Sequence, residues 1–269
     1  MTSRHAAVLS LDVVDICVET PDVKTLVLDN RAGRFPAHQA GQHLKVRVTL
    51  AGREHWKSFT ISSSPTQPEF VKLTIKRNPF GSVSGWLHDQ LVVGDVLSVN
   101  GPRGRFILDP AQHTEPLIWI AAGIGITPLL SMLRCLAACD AGRECRLVYG
   151  ARHEADVFFA AELREIQHRM PHLHASFGLT QPLSGWQGLR GRFLADAEAE
   201  GNLLNRLRSG PADQTLAQSR CYLCCPGDLN RRLSAVLQNA GVPADRIHCE
   251  QFFKSDKRRG GLNQHSDFC

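Results

Sequence analysis

The texture of the chain changes once, near Asp109-Pro110, and that change constrains the fold more than any single motif. Upstream, short alternating runs occur at Val8–Val14, Lys24–Leu28, His43–Val48, Val71–Lys76 and Val96–Val99, separated by turns carrying Pro, Gly and Asn. Runs of period two at this spacing predict a small antiparallel barrel. Downstream, Leu117–Ala121 is a continuous apolar run, the pattern of a strand covered on both faces. It is followed by Leu129, Leu130, Leu133 and Leu136 at helical spacing. Strand then alternates with helix through Cys145–Tyr149, Val157–Arg169, Leu173–Leu179, Cys221–Cys224, Leu229–Ala240 and Ile247–Cys249. Such alternation predicts an α/β domain, a parallel sheet with helices on both faces.

The expected organisation is therefore a β-barrel domain over 1–112, an α/β domain over 113–253 and a polar tail over 254–269. A length of 269 residues suits two domains of ordinary size. Within the barrel, Gly85–Leu91 reads as a helix with Ser84 as its N-cap. No apolar run approaches the ~20 residues of a membrane span. The acidic Asp12 interrupts the first apolar stretch where a secretory signal would continue, so a cytoplasmic protein is expected. A net charge of +5, spread widely, argues against nucleic-acid binding. Nine cysteines, an odd number, sit largely in apolar segments and suit a reducing compartment. Cys221 and Cys224 have zinc-like spacing but no second pair to complete a site, so no metal is expected.

Two segments carry chemistry. In Lys57-Ser58-Phe59-Thr60, a cation, an aromatic and a hydroxyl lie on one strand, with 57 and 59 facing one way and 58 and 60 the other. Gly81-Ser82-Val83-Ser84 leads into a helix, where free N–H groups and the helix dipole attract a phosphate. Taken alone, Phe59 reads more readily as a core aromatic, and Ser84 as a helix cap. Further on, Gly123-Ile124-Gly125-Ile126-Thr127-Pro128 follows a buried-type strand and precedes a helix. It lacks the third glycine of the usual dinucleotide fingerprint, but its context is that of a strand-to-helix turn approached by a pyrophosphate. Thr127 is expected at the N-cap and Pro128 at the first helical position.

In this order the motifs resemble the ferredoxin–NADP reductase superfamily, and the likeness runs over about residues 8–253. Lys57-x-Phe59-Thr60 is similar to the family's Arg-x-Tyr-Ser or Arg-x-Phe-Thr, and Gly81–Ser84 to its Gly-x-x-Ser/Thr. The resemblance implies that Lys57 meets a flavin phosphate, Phe59 stacks on the flavin ring and Thr60 lies at the ring's N5. The strand residues Ile75 and Lys76 and the loop residues Gly81, Ser82, Val83 and Ser84 complete the implied flavin site. Lysine replaces the family's arginine, a point charge in place of a rigid fork. Gly123–Pro128 matches the family's Gly-x-Gly-Ile-Thr-Pro, which implies that Gly123, Gly125, Thr127 and Pro128 bind a nicotinamide dinucleotide.

Cys224-Cys225-Pro226 is similar to the family's Cys-Gly-Pro, with Cys225 where glycine is usual. The resemblance implies Cys224 beside the nicotinamide, with Cys225 and Pro226 part of the same site. A register that puts Cys225 in that place stays open. Glu250 and Phe252 match the acidic and aromatic residues of the family's closing segment, so the implied catalytic residues are Thr60, Cys224 and Glu250.

The expected activity is an NAD(P)H-dependent flavoprotein reductase that carries FAD, with FMN the second choice, and takes hydride from NADH or NADPH. The cysteine spacing and length suit no iron–sulfur domain in this chain. Electrons would then pass to a separate acceptor: a ferredoxin-like protein, an oxygenase component or a small molecule. Arg31, Arg34, Lys45, Arg47 and Arg53 are a candidate docking face for it, and equally an ordinary solvated one. The different-class alternative is a weakly flavin-binding, non-catalytic subunit of a larger oxidoreductase, which the Lys57 and Cys225 departures favour.

Overall fold

The computed structural model describes residues 7–208 and 216–252; the expected tail at 254–269 lies outside them. Its contacts divide into two compact units, residues 7–108 with 130–135, and residues 109–129 with 136–252.

The first unit is an antiparallel sheet of β1 (Leu9–Thr20), β2 (Val23–Asp29), β3 (His43–Leu50), β4 (Arg53–Thr60), β5 (Phe70–Lys76) and β6 (Val96–Arg103). The strand order is β4-β3-β6-β1-β2-β5. Just past β4, Ile61 bridges to Leu73 of β5, and Ser62 N–H donates to the Lys72 carbonyl at 2.9 Å. That seam joins the two edge strands at one end and closes the sheet into a barrel. Alternation does what it should along β3, where Leu44, Val46 and Val48 face the core and Lys45 faces out. Each such buried Leu or Val contributes about 1.5–3 kcal/mol.

β1 runs to Thr20, six residues beyond the expected Val14, because it changes partner. It pairs with β6 from Leu9 to Asp12 and with β2 from Val13 onward, and irregularities at Val13/Asp15 and Val18/Thr20 interrupt the alternation. The helix of this unit, α1, spans Ser82–Asp89 and starts three residues earlier than expected. Gly81, in an extended conformation, is its N-cap, and Ser84 lies inside the first turn. Residues 130–135 cluster with this unit, where Ser131 Oγ donates to the Ser63 carbonyl at 2.7 Å.

The second unit is a parallel sheet of β7 (Leu117–Ala122), β8 (Cys145–Ala151), β9 (Leu173–Leu179), β10 (Leu189–Arg190), β11 (Arg220–Cys224) and β12 (Ile247–Glu250). Helices α2 (Ile126–Cys139), α3 (Ala160–Arg169), α4 (Ala197–Arg208) and α5 (Leu229–Asn239) follow strands β7, β8, β10 and β11. The order β10-β9-β8-β7-β11-β12 runs outward one way from β7 and then reverses, so the topological switch lies between β7 and β11. Ligands of open parallel sheets bind at the carboxyl ends of the strands flanking that point.

Three sequence expectations are corrected here. α2 begins at Ile126 with Gly125 as N-cap, so Thr127 is not the cap and Pro128 is the third helical residue. A 3-10 turn at Gly123–Gly125 starts the helical path early, and the Ile124 carbonyl, four residues before Pro128, accepts the Thr127 hydroxyl in place of the amide that proline lacks. α3 begins at Ala160, not Val157, because Phe159 takes the left-handed conformation at φ 61° and halts the helix there. α4 and β10 carry too few apolar residues to have been expected; α4 buries only Leu203 and Leu207, and β10 is two residues long.

Candidate functional site

In the first unit, the seam sets the strand bearing Lys57, Phe59 and Thr60 beside the strand bearing Ile75 and Lys76. Lys57 is partly exposed, Thr60 is buried, and Phe59, 4% exposed, packs in the barrel core together with Leu44, its cross-strand partner. Ile75 is likewise core, and Lys76 pairs with Asp22 at 3.1 Å. The polar side of this region is the start of α1. No side chain caps it and no acidic residue lies in its first turn. Ser82 is exposed, whereas the Ser84 hydroxyl is engaged inside the loop, accepting from Asn78 N–H at 3.1 Å. Gly81 permits this packing, since a Cβ there would stand 2.9 Å from both Asn78 Cβ and Ser84 Oγ. At the other end of α1, His88 Nε2 lies 2.9 Å from the Ile75 carbonyl and anchors the helix to β5.

In the second unit, the sequence-flagged residues meet at the switch point. Gly123 has φ +55° and open space where a side chain would project, so its backbone can be approached closely. Gly125 is required for the opposite reason: a Cβ there would fall 2.0 Å from the Cys224 carbonyl oxygen and 3.3 Å from Cys224 Sγ. Thr127 Oγ1 donates to the Ile124 carbonyl at 3.0 Å and steadies the turn. Neither this 3-10 turn nor the start of α2 has a side-chain cap or an acidic first turn. By contrast α3 carries Glu162, and α4 carries Glu198 and Glu200, in their first turns. The two helix starts that follow the flagged glycines are thus among those left receptive to anions.

Cys224 ends β11 and Cys225 follows it, and the two thiols have different neighbours. Cys224 lies against Gly125, and Cys225 Sγ packs inward toward the Ile120 carbonyl at 3.7 Å, among Ile118, Leu223 and Leu233. Burial raises the Cys224 thiol well above its usual range, so it is a neutral, weakly polar wall rather than a nucleophile. Glu250 is the cross-strand partner of Cys224, and burial holds its carboxyl above the ordinary range. Pro226 is exposed and Phe252 partly buried. One residue that motif reasoning passed over is Asn230, buried in the first turn of α5, whose side chain meets both Cys225 and Glu250. Only its place five residues after Cys225 hints at it.

Of the five candidate docking cations, three already have acidic partners: Arg31 with Asp29, Arg34 with Asp12 and Arg47 with Glu54. Among the described residues, no helix is long and apolar enough to cross a membrane.

A closed antiparallel barrel followed by a parallel sheet with a glycine turn at its switch point is the architecture of a two-domain flavin and nicotinamide oxidoreductase. The chain matches the oxidoreductase FAD-binding domain over residues 11–107 and the oxidoreductase NAD-binding domain over residues 119–230. It belongs to the ferredoxin–NADP reductase-like flavoproteins that join these two domains. It is 31% identical over 244 residues to the glycine betaine monooxygenase reductase subunit of Chromohalobacter salexigens, covering 89% of this chain and 62% of that one. It is 30% identical over 233 residues to the propane 2-monooxygenase reductase component of a Gordonia species, covering 87% and 64%. A flavohemoprotein of Deinococcus radiodurans is 30% identical over 227 residues, covering 82% of this chain and 53% of that protein. The chain therefore spans between half and two thirds of the length of these relatives. Among solved structures, the FAD/NAD-binding domain of nitric oxide dioxygenase from Vibrio cholerae superposes with a TM-score of 0.76 at 23% identity, covering 90% of this chain and 98% of that one, a likeness of fold.

Proposed function

We propose that this chain is an NAD(P)H-dependent flavin reductase that carries FAD and passes electrons to a separate acceptor, an oxygenase component foremost and a ferredoxin-like carrier next. The observation that carries this reading is the pair of uncapped, acid-free helix starts, α1 after Gly81 and the Gly123–Ile126 turn, one in each cofactor-binding domain. Each offers backbone N–H groups and a positive dipole end to a diphosphate, and neither has a carboxylate to repel it. FAD, when bound, accepts hydride from a reduced nicotinamide and releases electrons to an acceptor.

In this reading the chain's own groups bind and orient. Lys57 and the first turn of α1 neutralise the flavin phosphates, and Thr60 presents a hydroxyl at the flavin's reactive edge. Gly123 lets the dinucleotide phosphates approach the backbone, with Thr127 and Pro128 shaping the turn. Cys224 and Glu250 wall the nicotinamide pocket with a neutral thiol and a part-buried carboxyl, which limits water and fixes the approach of the ring. The relatives named as monooxygenase reductase components support an oxygenase as the receiving partner.

The test is spectroscopic. The purified chain, supplied with FAD, should show bound-flavin absorbance that NADH or NADPH bleaches in the absence of oxygen. A chain that retains no flavin, or retains flavin that neither nicotinamide bleaches, would sink the reading in favour of a non-catalytic subunit.

A further inference from the structure

We propose that Asn230 is a positioning residue of the nicotinamide site, clamping the carboxyl ends of β11 and β12 so that Cys224 and Glu250 hold one register. The inference rests on the reading of that site given above. Asn230 is 7% exposed in the first turn of α5. Its Oδ1 accepts from Cys225 N–H at 2.9 Å, and its Nδ2 donates to the Glu250 carbonyl at 2.7 Å.

The need for it follows from where the ladder stops. The last paired residues of β11 and β12 are Cys224 and Glu250. The next backbone donor, Cys225 N–H, is buried beyond the ladder and would cost free energy if left unpaired. An asparagine amide offers one acceptor and one donor a short distance apart, which matches an N–H on one strand and a C=O on the other. Its orientation is set, because Cys225 N–H can only donate and the Glu250 carbonyl can only accept. The peptide unit joining Cys224 to Cys225 is thereby held from two sides, its oxygen against Gly125 and its N–H by Asn230. Ser234 Oγ, donating to the Asn230 carbonyl at 2.9 Å, braces the same turn of α5.

Substitution separates positioning from bulk stability. Asn230→Ala removes both bonds. Asn230→Asp keeps the acceptor but turns a second acceptor toward the Glu250 carbonyl unless its carboxyl is protonated. The titratable groups nearby are Glu250 and Cys249 on β12, the Cys224 thiol at the end of β11, the Cys225 thiol just past it, and the exposed Asp228–Arg231 pair at the start of α5. The wild-type profile supplies the baseline for their titration. Arg232 is engaged elsewhere, with the Leu194 carbonyl.

Two readouts on the FAD-loaded chain test the proposal: the anaerobic rate of flavin bleaching by NADH or NADPH across pH 5 to 9, and hydrogen exchange at the Cys225 amide. Asn230→Ala should slow bleaching about tenfold or more at every pH, the scale expected when reacting groups are displaced by a fraction of an ångström. Flavin absorbance should be unchanged, and the Cys225 amide should exchange at least about tenfold faster. Asn230→Asp should match the alanine variant at high pH and recover toward the wild-type rate as pH falls. Should the aspartate variant not fold, the two readouts on Asn230→Ala decide the matter. Bleaching at wild-type rates in the variants, a loss independent of pH in Asn230→Asp, or an unchanged Cys225 amide would overturn the proposal alone. A wild-type chain that neither nicotinamide bleaches would overturn both it and the site reading beneath it.

Discussion

Gly125 and Cys224 are 99 positions apart in sequence, yet a single methyl group at Gly125 would stand 2.0 Å from the Cys224 carbonyl oxygen. The turn after β7 and the end of β11 are in contact across the switch point, and the contact tolerates no side chain on the turn. Gly125→Ala should therefore destabilise the chain by about 1–3 kcal/mol through overpacking, read as a lower thermal midpoint. Gly123→Ala meets no atom, and its positive φ costs about 1–2 kcal/mol. Its larger effect should be on nicotinamide affinity, measured by titration. A Gly125→Ala chain as stable as wild type would show that the two segments do not meet this closely.

The two neighbouring thiols should behave differently. Cys224→Ala is expected to slow flavin bleaching by NAD(P)H while leaving flavin bound, because it opens a space beside the proposed nicotinamide position. Cys225→Ala is expected to leave the rate near wild type and to cost about 1 kcal/mol of stability, since that thiol fills the core beneath α5. Stopped-flow rates and melting curves on both variants check this. The reverse result would place the nicotinamide on the Cys225 side.

Phe59 serves the barrel core whatever else it does. Phe59→Ala should cost about 3–5 kcal/mol and is a poor probe of flavin binding for that reason. Phe59→Leu keeps most of the volume and removes the ring, so a fall in flavin affinity with an intact thermal midpoint is the expected signature of stacking. Lys57 gives the complementary test. Lys57→Met should weaken flavin binding with little change in stability of the flavin-free chain, and Lys57→Arg should restore or tighten it.

At the amino end of the second unit's sheet, Arg220 donates to His248 Nε2 at 2.7 Å and to Glu115 at 2.9 Å, while His248 stacks on Tyr222. Burial and then the Arg220 charge lower the His248 pKa below its usual 6.5. The folded chain thus binds fewer protons than the unfolded chain below that value, and stability should fall as pH drops through 6.5. Thermal midpoints between pH 8 and pH 5 should show the fall, and His248→Gln, which can still accept from Arg220, should flatten it. His113, lowered chiefly by burial, adds in the same direction.

The sequence by itself determined what depends on local pattern. Period-two alternation produced the barrel strands, the unbroken apolar run at Leu117–Ala121 identified a strand covered on both faces, and the glycine turn after it marked the start of a helix. Ordered motifs carried the two cofactor classes, because backbone approach to a phosphate needs glycine at fixed spacing along the chain. What only the tertiary structure decided depends on residues far apart in sequence. Gly81 and Gly125, not Ser84 and Thr127, sit at the helix caps, since loop contacts with Asn78 and Cys224 set where each helix can begin. β1 crosses from β6 to β2 through bulges that erase its alternation. Phe59 lies in the core because closing the barrel buries the end of β4 on both faces. Asn230 was invisible as a motif because its role exists only once β11, β12 and α5 converge: a hydrogen bond between strands belongs to the packing, not to any one segment.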